Sequence, residues 1–342
     1  MNDILAYPDM ENYLRVFYSE YLLDMYPKEA YHLPLARMEQ IGKTPWGEPF
    51  SIIVDQLIDA VNLILDLREN GMRRAISLWN ESEDWSLKKD RKGEKESVFL
   101  LAPDNIAEEV RKKRRPAVII CPGGGYCEVC FSGEGTPILN YMEVQGYAAF
   151  ILKYRVSPAV YPAPQEDLSL AIRYVREHAL EYGVDPDNIL TLGASAGGHL
   201  CASQAALAKR VEDTPDKICL CYPVISFTEE PHEGSAELLT GGDTSLRKML
   251  SAENLVTESY PETFVWTCAD DDCVPPSNAV RMGAALKKAH VRHELFVYPS
   301  GGHGCGLAFS KEAHDWSRAW SNFSKISSDF CDILQDWFPH IF

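Results

Sequence analysis

The spacing of apolar and polar positions changes character near residue 72. Before that point it is helical. Tyr13 to Met25 is amphipathic and rich in aromatic residues. Ile53, Leu57, Val61, Ile64 and Leu65 recur at helical spacing up to the stop signal Asn70-Gly71. The second stretch is apolar over more than one face, so it has to pack on something larger than itself. Residues 1–72 are therefore expected to be a helical extension, serving as a cap over the rest of the chain or as a dimerisation element in a homodimer.

After residue 72 the pattern alternates between strand and helix. Ala75–Trp79 and Ser97–Leu101 read as strands flanking a polar turn, Lys88–Glu96. Ala117–Cys121 is an unbroken apolar run of the kind buried on both faces of a sheet, and Tyr147–Tyr154 is another. Gln165–Glu181 is an amphipathic helix, followed by a turn at Asp185-Pro-Asp-Asn and a strand at Ile189–Leu192. Ala196–Leu207 is a helix of small residues. Strands follow at Ile218–Tyr222, Thr263–Cys268 and His293–Tyr298, with a helix over Ser277–His290 and a closing helix over Ala313–Trp337. This alternation predicts an α/β domain over 73–342, with a mostly parallel sheet and helices on both faces. In such sheets the chemistry sits on loops at the carboxyl ends of the strands.

Composition narrows the class. The chain has 342 residues, 46% of them hydrophobic and 24% charged, which is ordinary globular material. Its formal net charge of −17 repels phosphate backbones and anionic lipid, so neither nucleic acid nor a membrane is an expected partner. The N-terminus has no basic and apolar leader pattern, and no apolar run is long enough to span a bilayer. The ten cysteines are then expected to be reduced in a cytoplasm. Cys121, Cys127 and Cys130 end in a C-x2-C, but no second pair with histidine spacing accompanies them. No metal or cofactor is expected.

Three loops carry the candidate chemistry. Gly193-Ala-Ser195-Ala-Gly197 lies between a strand and a small-residue helix, the context a nucleophile elbow requires. Such a turn tolerates only glycine two residues either side of the serine. It also sets the serine at a helix N-terminus, where the N–H of Ala196 can meet negative charge. Pro122-Gly-Gly-Gly125-Tyr126 follows the buried strand Ala117–Cys121. Three consecutive glycines cost backbone entropy, and close approach of N–H groups to an oxyanion is a reason to keep them. Gly124 and Gly125, with Ala196, are the expected donors, and Tyr126 is a candidate wall for the acyl or alcohol group.

A serine hydrolase on this sheet needs an acid and then a histidine further along the chain. Asp270-Asp271-Asp272 follows Thr263–Cys268, and Gly301-Gly-His303-Gly follows His293–Tyr298. His303, in a glycine-rich loop, suits general-base work near neutrality. His199, His290 and His293 fit packing or surface positions better. Among the acids, Val274 and Pro275 favour Asp271. Asp270 is the second choice, and Asp272 is a candidate cap for the helix beginning near Pro275.

These segments together make the sequence recognisable. Pro116–Tyr126, Tyr154–Pro158, Pro162–Asp167, Gly183–Leu200, Cys221–Ile225, Trp266–Pro275 and Tyr298–Gly304 resemble the carbohydrate-esterase-like branch of the α/β-hydrolase superfamily, related to bacterial acetyl-xylan and feruloyl esterases. The resemblance covers about residues 97 to 340 and is specific for the family, not for the substrate. It implies an α/β-hydrolase fold and a metal-free serine esterase acting on small-molecule esters. The implied triad is Ser195, Asp271 and His303, with an oxyanion hole from Gly124, Gly125 and Ala196. Asp167 is implied to be a structural acid outside the triad. Residues 1–72 depart from the family's usual short N-terminus. A serine peptidase of the prolyl-oligopeptidase type shares the elbow but carries a large N-terminal propeller, which 72 helical residues do not make. A non-catalytic ligand-binding relative is the other alternative, and the intact triad positions argue against it.

Overall fold

The structure is a computed structural model, and it describes residues 73–79, 95, 98–104, 106–304 and 323. The expected extension over 1–72 and, Phe323 apart, the expected closing helix over 313–337 lie outside the described residues.

Among the described residues, eight strands form one sheet: β1 (Arg73–Ser77), β2 (Phe99–Pro103), β3 (Arg115–Cys121), β4 (Ala148–Lys153), β5 (Val184–Ala194), β6 (Lys217–Cys221), β7 (Glu262–Cys268) and β8 (His293–Tyr298). Their order across the sheet is β1-β2-β4-β3-β5-β6-β7-β8. The pairs β1–β2 and β2–β4 are antiparallel, and every other pair is parallel. The apolar runs in β3 and β4 are explained by burial: Ala117 to Cys121 and Ala148 to Leu152 are fully inaccessible. Strands this apolar need cover on both faces.

Among the described residues, six α-helices of six residues or more connect the strands: α1 (Thr136–Val144), α2 (Ala163–Glu177), α3 (Ala196–Leu207), α4 (Glu233–Thr240), α5 (Ser245–Leu250) and α6 (Ser277–Lys288). The amphipathic α2 turns Leu168, Ala171, Ile172 and Val175 inward, against β5 and α3. Its proline at the start costs nothing, because N–H groups in a first helical turn have no partner in the helix. The helix expected to reach Glu181 stops at Glu177. A separate turn, Ala179–Tyr182, follows and is closed by Gly183 at φ 63°. The turn expected at Asp185-Pro-Asp-Asn is extended chain instead, because Val184 already pairs with Arg115 across a register shift in β3.

Asp167 and Arg155 join α2 to the end of β4. The buried Asp167 carboxylate takes the Arg155 guanidinium at 2.8 Å, the Arg155 backbone N–H at 2.8 Å and the Trp79 indole N–H at 2.8 Å. Burial pushes its pKa up, against the pull of Arg155. These three donors satisfy a charge that would otherwise be expensive to bury.

Strand order fixes where the chemistry can sit. The chain leaves β3 toward β4 on one side and leaves β5 toward β6 on the other. The loops after β3 and β5 therefore diverge at a topological switch point, the crevice in which open α/β sheets bind ligands. The Gly123–Gly125 loop and Ser195 are the residues at that crevice.

Candidate active site

Ser195 forms the turn between β5 and α3 with φ 52° and ψ −120°, a backbone region that costs a non-glycine residue about 1–3 kcal/mol. Hydrogen bonds hold it there. Its N–H donates to the Cys221 carbonyl at 3.0 Å, and its carbonyl accepts from His199 at 3.2 Å and Val224 at 3.0 Å. The flanking glycines are steric necessities. A Cβ on Gly193 would stand 2.2 Å from the Gly197 carbonyl oxygen, and one on Gly197 would stand 1.9 Å from the Cys121 carbonyl oxygen. Ala196 opens α3, so its N–H has no intrahelical acceptor.

Ser195, His303 and Asp271 form one chain of side-chain contacts. Ser195 Oγ is 2.8 Å from His303 Nε2, and His303 Nδ1 is 2.8 Å from Asp271 Oδ2. Asp271 is buried, and its Oδ1 accepts the N–H groups of Cys273 at 3.0 Å and Val274 at 2.9 Å. This is the physical reason for a short polar turn at this strand end: the acid anchors its own loop with one oxygen and meets the imidazole with the other. Tyr222 packs edge-on against the ring at 5.1 Å.

The two neighbouring acids are elsewhere. Asp270 accepts N–H bonds from Gly302 at 2.9 Å and Gly301 at 3.3 Å, and these bonds hold its carboxyl below the usual range. It grips the loop that carries His303 without touching the ring. Asp272 is exposed, and α6 begins at Ser277 without a side-chain cap, so Asp272 does not cap that helix.

The glycine loop approaches Ser195 from the other side. A Cβ on Gly123 would stand 2.8 Å from Ser195 Cβ, while Gly124 and Gly125 hold φ values of 123° and 63° that favour glycine. Among the described residues, the N–H groups of Gly124 and Gly125 donate to no protein acceptor. The Gly123 N–H does: it donates to Glu134 Oε2 at 2.6 Å. Glu134 is buried in a wide turn, Phe131–Gly135, with the five-residue repeat of a π-helix, a rare geometry found often at functional sites. Burial raises its pKa, opposed first by the His303 imidazole and then by hydrogen bonds from Tyr222 and Gly123.

Tyr126 differs from expectation. It is 1% exposed, and its hydroxyl is 2.8 Å from His199 Nδ1. It therefore braces the glycine loop from inside and does not wall an open pocket. His199 is a packed histidine: Nε2 donates to the Leu250 carbonyl at 2.7 Å, and the ring stacks on Phe227 at 4.2 Å. Since Leu250 can only accept, Nδ1 is the unprotonated nitrogen and takes the Tyr126 O–H. Burial lowers the His199 pKa to about 4.

Two residues near the site escaped the sequence reading. Glu134 has no motif signal. His232, at the start of α4, faces Gly125: a Cβ there would stand 3.7 Å from His232 Cε1. Among the described residues no cluster of three or more His, Cys, Asp or Glu side chains could hold a metal, and no helix is long and apolar enough to cross a membrane.

Comparison with known proteins places this chain in a family. Residues 104–286 match the family model BD-FAE. The chain is 31% identical over 220 residues to endo-1,4-beta-xylanase B of Butyrivibrio fibrisolvens, covering 60% of this chain and 34% of that protein. It is 32% identical over 206 residues to the acetylxylan esterase of Xylanibacter ruminicola, covering 58% of this chain and 43% of that one. These matches thus span between a third and a half of the curated relatives' length. Among solved structures, the acetyl ester-xyloside bifunctional hydrolase of Caldicellulosiruptor lactoaceticus is 34% identical with a TM-score of 0.59, over 78% of this chain and 96% of that one.

Proposed function

Since the chain belongs to the BD-FAE family and has the α/β-hydrolase fold, we propose that it is a serine carboxylesterase removing short acyl groups, acetyl above all, from sugar or oligosaccharide esters. The observation that carries this reading is the continuous contact from Ser195 Oγ through His303 to Asp271, on a turn that aims the serine at the switch-point crevice.

The reaction runs in two halves. Ser195 Oγ attacks the ester carbonyl as its proton passes to His303 Nε2. Asp271 holds Nδ1–H and stabilises the imidazolium. The N–H groups of Gly124, Gly125 and Ala196 take the oxyanion. The carbonyl re-forms, the C–O bond to the alcohol breaks, and His303 gives the alcohol its proton. Water then attacks the acyl carbon and gives a proton to the same imidazole; the acyl C–Oγ bond breaks, the acid leaves, and His303 returns that proton to Ser195 Oγ. Three backbone donors suit this work because they are fixed before the charge develops.

The acetyl preference rests on two relatives whose names specify acetyl esters. Two measurements test the proposal together. A fluorophosphonate should label Ser195 and no other serine. A p-nitrophenyl ester series should give the highest kcat/KM at acetate, declining toward octanoate. An unlabelled Ser195 would end the serine mechanism, and a maximum at octanoate would end the short-acyl reading.

A further inference from the structure

His232 is an imidazole that the reaction above does not use, yet it borders the same crevice. It is the residue before α4, and its Nδ1 accepts the Ser235 backbone N–H at 3.2 Å and lies 2.8 Å from Ser235 Oγ. With Nδ1 occupied as an acceptor, the neutral ring carries its proton on Nε2. That nitrogen has no hydrogen-bond partner among the described residues and is not among their buried unpaired atoms. The ring's Cε1 edge faces the third glycine of the loop after β3, as the 3.7 Å approach to Gly125 shows. Its pKa is lowered, first by burial and then by the His303 charge, so near neutrality it is a neutral donor and not a cation.

This location selects one half of the ester. The leaving oxygen must collect a proton from His303 Nε2, so the alcohol lies on the His303 side of the carbonyl. The ring of His232 lies against the glycine loop through its Cε1 edge and feels the charges of His303 and Asp271. A neutral N–H donor there discriminates in favour of an uncharged oxygen and gives an anionic alcohol no compensating charge. Removing a single hydrogen bond to an uncharged group typically lowers affinity by a few-fold to about tenfold, and more where a buried group is left unpaired.

We propose that His232 is a specificity-determining residue for the alcohol half of the substrate, its Nε2–H donating to a hydroxyl or ring oxygen of a neutral sugar beside the scissile ester. The proposal rests on the esterase reading and deepens it: an acetylated sugar is recognised through a contact that an aryl acetate cannot make.

The test is a ratio of specificities. Acetylated methyl xyloside and p-nitrophenyl acetate deliver the same acyl group from different alcohols. His232→Asn keeps a residue favoured at a helix start while withdrawing the ring. In this variant the ratio of kcat/KM for the xyloside over the aryl ester should fall about tenfold. His232→Ala should lower the ratio similarly, and His232→Gln, whose amide N–H can reach part of the way, should recover some of it. A ratio within threefold of wild type in folded Asn and Ala variants would overturn the proposal, including the case in which both esters slow equally. A wild-type protein that cleaves neither ester would instead refute the esterase reading itself.

Discussion

Glu134 and Gly123 are joined by a 2.6 Å hydrogen bond from the glycine N–H to a buried carboxyl oxygen. That contact ties the turn before α1 to the loop that meets Ser195, and it fixes the peptide immediately preceding the N–H groups of Gly124 and Gly125. Glu134→Ala should therefore misplace those donors and lower kcat roughly tenfold to a hundredfold with KM little changed. Glu134→Gln keeps an acceptor for Gly123 and should retain most of the turnover. Steady-state kinetics on p-nitrophenyl acetate check both; equal losses in the two variants would assign the effect to the charge and not to the hydrogen bond.

Adjacent acids are expected to separate cleanly. Asp271 contacts the imidazole, so Asp271→Asn favours the wrong His303 tautomer and should lower kcat by roughly 10⁴. Asp270 contacts only the loop backbone, and asparagine can still accept the Gly302 N–H. Asp270→Asn should be far milder. Reversed magnitudes would mean that Asp270, not Asp271, orients the histidine.

Gly197 packs α3 onto the end of β3. Its absent Cβ would lie 1.9 Å from the Cys121 carbonyl oxygen and 2.6 Å from that of Pro122, and neither backbone atom is free to retreat. Gly197→Ala should lose about 3 kcal/mol of stability through overpacking. Urea unfolding followed by tryptophan fluorescence measures this.

His199 sets a pH limit on stability. In the fold it is neutral, with a pKa lowered by burial from 6.5 to about 4. The unfolded chain binds the proton between those values and the folded one does not. The contribution is thus complete above about pH 6.5 and declines as pH falls to 4, by at most about 3 kcal/mol. Unfolding free energies of wild type and His199→Gln across this range should show a smaller pH slope in the variant.

The sheet and its loops were legible because their signals are local. Ala117–Cys121 is apolar throughout because both faces are covered, and Ala196–Leu207 is rich in small residues because its first turns press on β3 and Pro223. Ser195, His303 and Asp271 lie on strand ends, where chain order alone pairs motif with position. Glu134 was not legible, since its role depends on a rare turn geometry that brings it beneath Gly123. His232 was missed for a related reason. Helices α4 and α5 are short and flank Gly241-Gly242, so no apolar period announces them, and what they carry to the site is set by tertiary packing. Tyr126 is held in the interior by a contact with His199 Nδ1, a partner 73 residues away that no local pattern announces.

The main chain of Ser195 has a further consequence. Its N–H is committed to Cys221, and its carbonyl already accepts two bonds, from His199 and Val224. An arriving molecule therefore finds no backbone group on this residue left to recruit, and only Oγ is on offer. The turn works as a pedestal that is indifferent to the atom it displays. Ser195→Cys should stand in the same place and present sulfur to the same imidazole, so the element at the tip can be exchanged without rebuilding the mount.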